Sequence, residues 1–190
     1  MEPHLATNDK LMFYKYLDKS SIYFEYGSGG STYQASIRNN IVKIYSVESD
    51  NTWYENVKQI VKSDNFTYFY NEMDTIPKKW GYPGPNSTIS QHIKYSNYIR
   101  NLSELEKKSV DLILIDGRFR VACCLKCFDC ISEECLIAFD DFLDRPKYHV
   151  VLDYYDVVDK TIDNRMVILC KKKTIFVPCA LIEEYEKIPD

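Results

Sequence analysis

No stretch of this chain is apolar for long enough to cross a bilayer. Its first residues, Met1-Glu2-Pro3-His4, lack the basic start and apolar core of a secretion signal. The expected location is therefore the cytoplasm, with no membrane partner. Positive charge is also short. With 24 Lys and Arg against 28 Asp and Glu, the formal net charge is −4, so no bulk basic field recruits nucleic acid. The basic run Lys171-Lys172-Lys173 reads as a solvated strand end. There are no internal repeats and no low-complexity linker. Glycine is scarce, six in 190 residues, yet three of the six fall at positions 27, 29 and 30.

A chain of 190 residues, 45% hydrophobic and 27% charged, is expected to form one α/β domain with a real core. Seven cysteines is an odd number, and five of them lie within 123–135. Without a secretion signal they read as reduced thiols. Cys124-x-x-Cys127-x-x-Cys130 falls inside a predicted helix, where small buried thiols explain the spacing better than a zinc knuckle does.

Periodicity and punctuation predict the elements. A leading helix over 5–17, within a leading segment 1–20, is placed over the carboxyl edge of the sheet. Strands are expected at 22–26, 41–47, 66–70, 110–115 and 136–139. Helices are expected from Ser31 or Thr32 to 38, then over 53–61, 121–131 and 148–158. A terminal hairpin pairs 161–162 with 166–170 through a turn at Asp163-Asn164, and the tail 174–190 carries one short helix. The stretch 72–95 contains Pro77 and Trp80-Gly81-Tyr82-Pro83-Gly84-Pro85. A punctuated segment of that length suits a functional loop, and its aromatics suit a wall for a sugar ring or a purine.

The chain's chemistry centres on Glu25-Tyr26-Gly27-Ser28-Gly29-Gly30-Ser31-Thr32. Strand, glycine turn and helix together seat nucleotide-type ligands at the carboxyl edge of an open α/β sheet. A dinucleotide fingerprint requires a third glycine where Thr32 stands, and a carboxylate at Glu25 would repel a pyrophosphate. Glu48 ends the second strand about twenty residues past the glycines, the offset of a carboxylate that accepts hydrogen bonds from ribose hydroxyls.

Asp116, Asp140 and Asp141 fall just past the fourth and fifth strands. Three converging carboxylates need positive charge between them. A hard divalent cation, Mg²⁺ or Mn²⁺, suits that oxygen set, and Arg118 and Arg120 offer a second way to neutralise it. His149 is the best candidate for a base outside the acids, with His92 second.

The E-x-G-x-G-x-S turn resembles the first motif of the class I S-adenosylmethionine (SAM)-dependent methyltransferases. Several other segments are similar to a subgroup associated with glycan or polysaccharide decoration. They are Glu2-Pro3-His4-Leu5, Trp80-Gly81-Tyr82-Pro83, Asp116-Gly117-Arg118-Phe119-Arg120 and Asp140-Asp141-Phe142-x-Asp144-Arg145-x-x-Tyr148. The resemblance runs from Glu2 to about Lys171. It implies a Rossmann-like methyltransferase fold, a seven-stranded, mostly parallel sheet of order 3-2-1-4-5-7-6 with helices on both faces. It implies SAM held by Glu25, Gly27, Ser28, Gly29, Ser31 and Glu48. It implies metal at Asp116, Asp140 and Asp141 and a sugar or glycan hydroxyl as acceptor; Asp116 and His149 are the expected catalytic residues. Trp80, His92, Arg118 and Arg120 are then the expected acceptor contacts. The Asp140-Asp141 pair departs from the D-N pair of catechol-type enzymes. Three alternatives stay open: a small phenolic or nucleoside acceptor, a SAM-binding module without turnover, and an NAD-dependent oxidoreductase.

Overall fold

The computed structural model describes residues 1–163, 165–173 and 176–190. Seven strands form one sheet. They are β1 (Ile22–Tyr26), β2 (Lys43–Glu48), β3 (Phe66–Tyr70), β4 (Leu112–Ile115), β5 (Leu136–Phe139), β6 (Tyr155–Lys160) and β7 (Val167–Lys171). Their spatial order is β3-β2-β1-β4-β5-β7-β6, as the resemblance implied. The first five strands run parallel, and β7 is antiparallel to both of its neighbours. The helices are α1 (Thr7–Leu17), α2 (Gly30–Ser36), α3 (Asn51–Ile60), α4 (Ile89–Ser96), α5 (Glu104–Ser109), α6 (Arg120–Cys127) and α7 (Cys179–Tyr185). Two 3-10 helices, Tyr98–Asn101 and Pro146–Asp153, are the remaining helical elements among the described residues.

A central parallel strand is covered on both faces, so it reads as a continuous apolar run rather than an alternation. β4, Leu-Ile-Leu-Ile, is buried at all four positions. Strand alternation then divides the core. Phe24, Tyr26, Ile113, Ile115 and Phe139 pack against α6 and the Tyr95–Ile99 region. Tyr23, Ile44, Leu112, Leu114 and Ala138 pack against Phe13 and Leu17 of α1. The leading helix therefore lies on a sheet face, not over the carboxyl edge where sequence placed it. Asp9 of α1 accepts a hydrogen bond from the Met166 amide at 3.0 Å and ties the helix to the start of β7.

Two elements were hidden in sequence. The punctuated stretch 72–95 ends in α4, and Glu104–Ser109 forms α5. Each starts at a capping box, Thr88 with Gln91 and Ser103 with Glu106, which satisfies amide donors that the first turn leaves free. The helix expected over 148–158 is a correction. A 3-10 helix begins at Pro146, and Tyr155–Lys160 is the edge strand β6. Apolar residues at 150, 151, 154, 155 and 158 fit a helical period, but β-branched Val157 and Val158 sit more easily on a pleated edge. The register of β6 against β7 slips between Val157 and Asp159. The hairpin's first strand is thus β6 rather than 161–162, and its Asn164 turn position lies outside the described residues. Among the described residues no helix is long and apolar enough to cross a membrane.

Candidate functional site

The turns after β1 and β4 stand back to back. Gly27 has φ +91°, in the left-handed region, and a Cβ there would lie 2.7 Å from the Gly117 Cα. Only glycine meets both demands without strain. The Gly27 amide donates to the Val47 carbonyl and the Asp116 amide to the Tyr26 carbonyl, each at 3.0 Å. Three strand ends are thereby locked into one edge.

Glu48 faces that edge from β2. Its Oε2 accepts from the Ser28 amide at 3.2 Å and the Ser28 hydroxyl at 2.9 Å. Its Oε1 accepts from the Ser49 and Asp50 amides at 2.7 and 2.8 Å. Burial nevertheless holds its carboxyl above the usual range, because these bonds only partly replace lost hydration. Ser28 is held from two further sides. Its hydroxyl pairs with the Tyr68 hydroxyl at 2.6 Å, and its carbonyl accepts from the Trp53 indole at 2.5 Å. Tyr68 and Trp53 were not singled out in the sequence reading. The aromatic-rich β3, Phe-Thr-Tyr-Phe-Tyr, was the available signal for Tyr68.

Glu25 stands on β1 in register with Ser46 of β2, on the same face of the sheet as Glu48. It is fully buried and accepts from the Tyr23 hydroxyl at 2.8 Å, the Ser31 hydroxyl at 2.6 Å and the Thr32 hydroxyl. The Gly29 amide donates to Thr32 Oγ1 at 2.8 Å. Thr32, which stands where a dinucleotide motif has its third glycine, instead knits the turn to Glu25. Burial pushes the Glu25 carboxyl up to about 7 despite these hydroxyls.

Two segments cover the turn. A Cβ on Gly30 would lie 2.2 Å from the Glu2 backbone, so Glu2 and Pro3 cross directly over the start of α2. Glu2 is anchored there by Lys10, Tyr14 and Gln34. From the other side, a Cβ on Gly81 would lie 3.7 Å from Glu48 Oε1. Neighbouring Trp80 stays exposed and meets the His4 ring edge-on at 5.0 Å. Trp80 is thus on the Glu48 side of the edge, away from the aspartates.

At the aspartates, the buried Arg120 guanidinium takes the central position. It lies 3.0 Å from Asp116, 3.6 Å from Asp141 and 4.0 Å from Asp140. It also donates to the main-chain oxygens of Gly117, Asp140 and Asp116. Asp141 is further held by Arg145 at 2.6 Å and by Arg165. Those arginines keep Asp141 below its ordinary range even against burial, which acts the other way. Burial and the neighbouring acids push Asp140 up to about 8, and burial raises Asp116 as well. This donor set does not fit the expected Mg²⁺ or Mn²⁺. Among the described residues no three His, Cys, Asp or Glu side chains are grouped to hold a metal, and the Arg120 guanidinium already takes the place between Asp116, Asp141 and Asp140. The metal assignment is corrected on that ground.

The histidines are engaged locally. His149 places Nε2 3.2 Å from the Phe142 carbonyl and packs on the Phe142 ring; the carbonyl can only accept, so that nitrogen carries the proton. No hydrogen bond joins it to Asp116 among the described residues. His92 pairs with the Ser87 hydroxyl at 3.0 Å and packs on Phe119 with centroids 4.5 Å apart. Burial lowers its pKa, which favours the neutral ring. Arg118 donates to the Asp190 main-chain oxygen at 2.7 Å.

No protein-family profile and no curated protein matches the chain. Solved structures do match its fold. A methyltransferase-like protein from Silicibacter pomeroyi superposes with a TM-score of 0.81 at 22% identity, over 99% of this chain and 98% of that one. A putative caffeoyl-CoA O-methyltransferase from Staphylococcus aureus gives a TM-score of 0.54 at 15% identity, over 90% and 86%. A tRNA methyltransferase from B. subtilis gives 0.53 at 10%, over 88% and 66%.

Proposed function

We propose that this chain is a SAM-dependent methyltransferase that acts on a hydroxyl group. The observation that carries the reading is the Ser28–Glu48 junction at the carboxyl edge of a methyltransferase-type sheet. A buried carboxylate with two oxygens, one of them bonded only by Ser28, is suited to a pair of ribose hydroxyls. SAM, when bound, supplies a methyl group activated by a sulfonium centre. Glu48 would hold the ribose, releasing Ser28 to do so. The 27–31 turn would hold the amino-acid end. Glu25, sealed beneath that turn, braces it through Ser31 and Thr32. Trp80 and the Glu2–Pro3 crossing would exclude water from the two sides of that turn.

Asp116 is the base in this reading. A carboxylate whose pKa is raised by burial is a better proton acceptor near neutral pH than an exposed one. As the acceptor hydroxyl is methylated it would lose its proton, and Asp116 would take it. Arg120, fixed at 3.0 Å from Asp116, holds that carboxylate in place. The acceptor proposed is a sugar or glycan hydroxyl, with His92, Arg118 and Arg120 bordering it, and no metal step is invoked. Transfer of labelled methyl groups from SAM to a panel of sugars and oligosaccharides, with catechols alongside, tests this. Sugar methylation by the wild type and its loss in Asp116→Asn supports the reading. Turnover of catechols alone would replace the acceptor, and undiminished turnover by Asp116→Asn would remove the assigned base.

A further inference from the structure

Four hydrogen bonds end on Glu48. The Ser49 and Asp50 amides reach Oε1, and the Ser28 amide and hydroxyl reach Oε2. A carboxylate offers about four acceptor positions, so this one is fully engaged. Three of the donors are main-chain amides, fixed by the strand end and the glycine turn. The Ser28 hydroxyl is the donor that leaves by rotation alone, so a ligand hydroxyl enters at its place.

Tyr68 stands next to it. It pairs with Ser46 in the β2–β3 register and so shares the Glu48 face of the sheet. Its ring packs against Tyr54 and Phe66 with centroids 4.3 and 4.8 Å apart. Its hydroxyl lies 2.6 Å from Ser28 Oγ, and Ser28 is its only hydrogen-bond partner among the described residues. An ionised carboxylate only accepts, so the Ser28 proton points to Glu48 and the Tyr68 proton to Ser28. Burial and the Glu48 charge push the Tyr68 phenol above its ordinary range, so it remains a donor. Glu48 is 6% exposed, whereas Ser28 and Tyr68 are only half-buried. The network therefore opens to a ligand at its two hydroxyls.

Glu48 Oε2 and the Tyr68 hydroxyl each lie within one hydrogen bond of Ser28 Oγ, a spacing that two neighbouring hydroxyls can bridge. We infer that Tyr68 reads the ribose of the cofactor together with Glu48. One ribose hydroxyl takes the place of the Ser28 hydroxyl on Glu48. The Ser28 hydroxyl turns round to donate to Tyr68, and the Tyr68 proton, released from Ser28, goes to the oxygen of the neighbouring ribose hydroxyl. Every donor keeps an acceptor, so the exchange leaves no buried group unpaired. The assignment rests on the methyltransferase reading and adds to it a residue that selects ribose over deoxyribose.

The test is isothermal titration of the full chain with S-adenosylhomocysteine and with its 2′-deoxy and 3′-deoxy analogues. Wild type, Tyr68→Phe and Tyr54→Phe are compared, each checked by circular dichroism and urea unfolding. Tyr68→Phe should bind S-adenosylhomocysteine about fivefold or more weakly than wild type, the factor that one neutral hydrogen bond is worth. For one of the two deoxy analogues, wild type and Tyr68→Phe should bind alike, because the hydroxyl that Tyr68 reads is missing. Tyr54→Phe, whose ring packs on Tyr68, should bind all three ligands as wild type does. Unchanged affinity of Tyr68→Phe for S-adenosylhomocysteine overturns the inference. A loss by the same factor on all three ligands does so too, since looser packing would give it, and so does a Tyr68→Phe chain that fails to fold, since the hydroxyl would then serve the fold. Wild type that binds none of the three sinks the methyltransferase reading itself. Equal, saturable binding by wild type and Tyr68→Phe leaves that reading standing and removes the role of Tyr68 alone.

Discussion

Ser28 donates twice to a single oxygen of Glu48, from its amide at 3.2 Å and its hydroxyl at 2.9 Å. The glycine turn after β1 and the acid that ends β2 are thereby one unit, about twenty residues apart in sequence and in contact in space. Ser28 is itself pinned by Trp53, which gives the first prediction. Trp53→Phe keeps most of the apolar contact and removes the indole donor to the Ser28 carbonyl. A single hydrogen bond contributes about 1 kcal/mol net, so urea unfolding should show a loss of that order. SAM affinity should fall with it, because the turn is less well held.

Gly27 and Gly30 resist substitution for different reasons. At Gly27, alanine meets both φ +91° and the Gly117 backbone at 2.7 Å. At Gly30, alanine meets only the crossing Glu2–Pro3 segment, which can lift. Gly27→Ala should cost more than about 3 kcal/mol or prevent folding, whereas Gly30→Ala should fold and expose the start of α2. Chemical denaturation reads the first, and faster hydrogen exchange or proteolysis near the N-terminus reads the second. A Gly27→Ala protein as stable as wild type would mean that the two turns are not locked together.

Glu25 sets a pH dependence. Its folded carboxyl is pushed to about 7 from an ordinary value of 4.5, so between those values the folded state binds more protons than the unfolded state. Stability must then fall as pH rises from about 4.5 through 7, by an amount on the order of 3 kcal/mol as an upper bound. Asp140, pushed to about 8, contributes with the same sign over a window that starts lower and ends higher. Asp141, held low by its arginines, has the opposite sign and loses stability only at acid pH. Glu25→Gln, measured without ligand by denaturation at pH 5 and pH 8, should flatten the decline and be more stable than wild type at pH 8. An unchanged slope would show that Glu25 titrates normally.

Arg120 answers for the acids. Truncation to Ala or Met leaves Asp116, Asp140 and Asp141 without their central cation, and removing one partner of a buried ion pair typically costs about 3–5 kcal/mol. Mg²⁺ or Mn²⁺ at constant ionic strength should leave the wild-type thermal midpoint unchanged. A metal-dependent rise in wild type would show that the guanidinium gives way to a cation.

Much of the sheet was legible because parallel strands announce themselves. The runs around Ile113 and Ile137 are apolar without interruption, and the Gly27–Gly30 cluster and Glu48 mark strand ends by residue type alone. Antiparallel β6 was not legible, since a half-exposed edge strand with apolar residues at 154, 155 and 158 satisfies a helical period equally well. The short helices α4 and α5 depend on the Thr88–Gln91 and Ser103–Glu106 boxes more than on an apolar face, so periodicity passed over them. At the site, sequence placed the three aspartates together and offered arginine as a rival to metal. It held no information on which of the two sits in the middle. That depends on the Arg120 side chain turning back over the Asp116–Gly117 segment before its helix, on Arg145 reaching back four residues to Asp141, and on Arg165 arriving from β7's side of the chain. The contact of Asp190 with the Arg120 amide was invisible for the same reason, because the two are 70 residues apart in sequence.

The central claim is that the Ser28–Glu48 junction receives SAM. Isothermal titration of the wild type with SAM and with S-adenosylhomocysteine, repeated on Glu48→Ala, tests it most directly. The account predicts saturable one-to-one binding of both ligands by wild type. Loss of the ribose-binding carboxylate should weaken it by about tenfold or more, as removal of a charge-assisted hydrogen bond does. Wild-type protein that binds neither ligand, or Glu48→Ala that binds SAM as tightly as wild type, would contradict it.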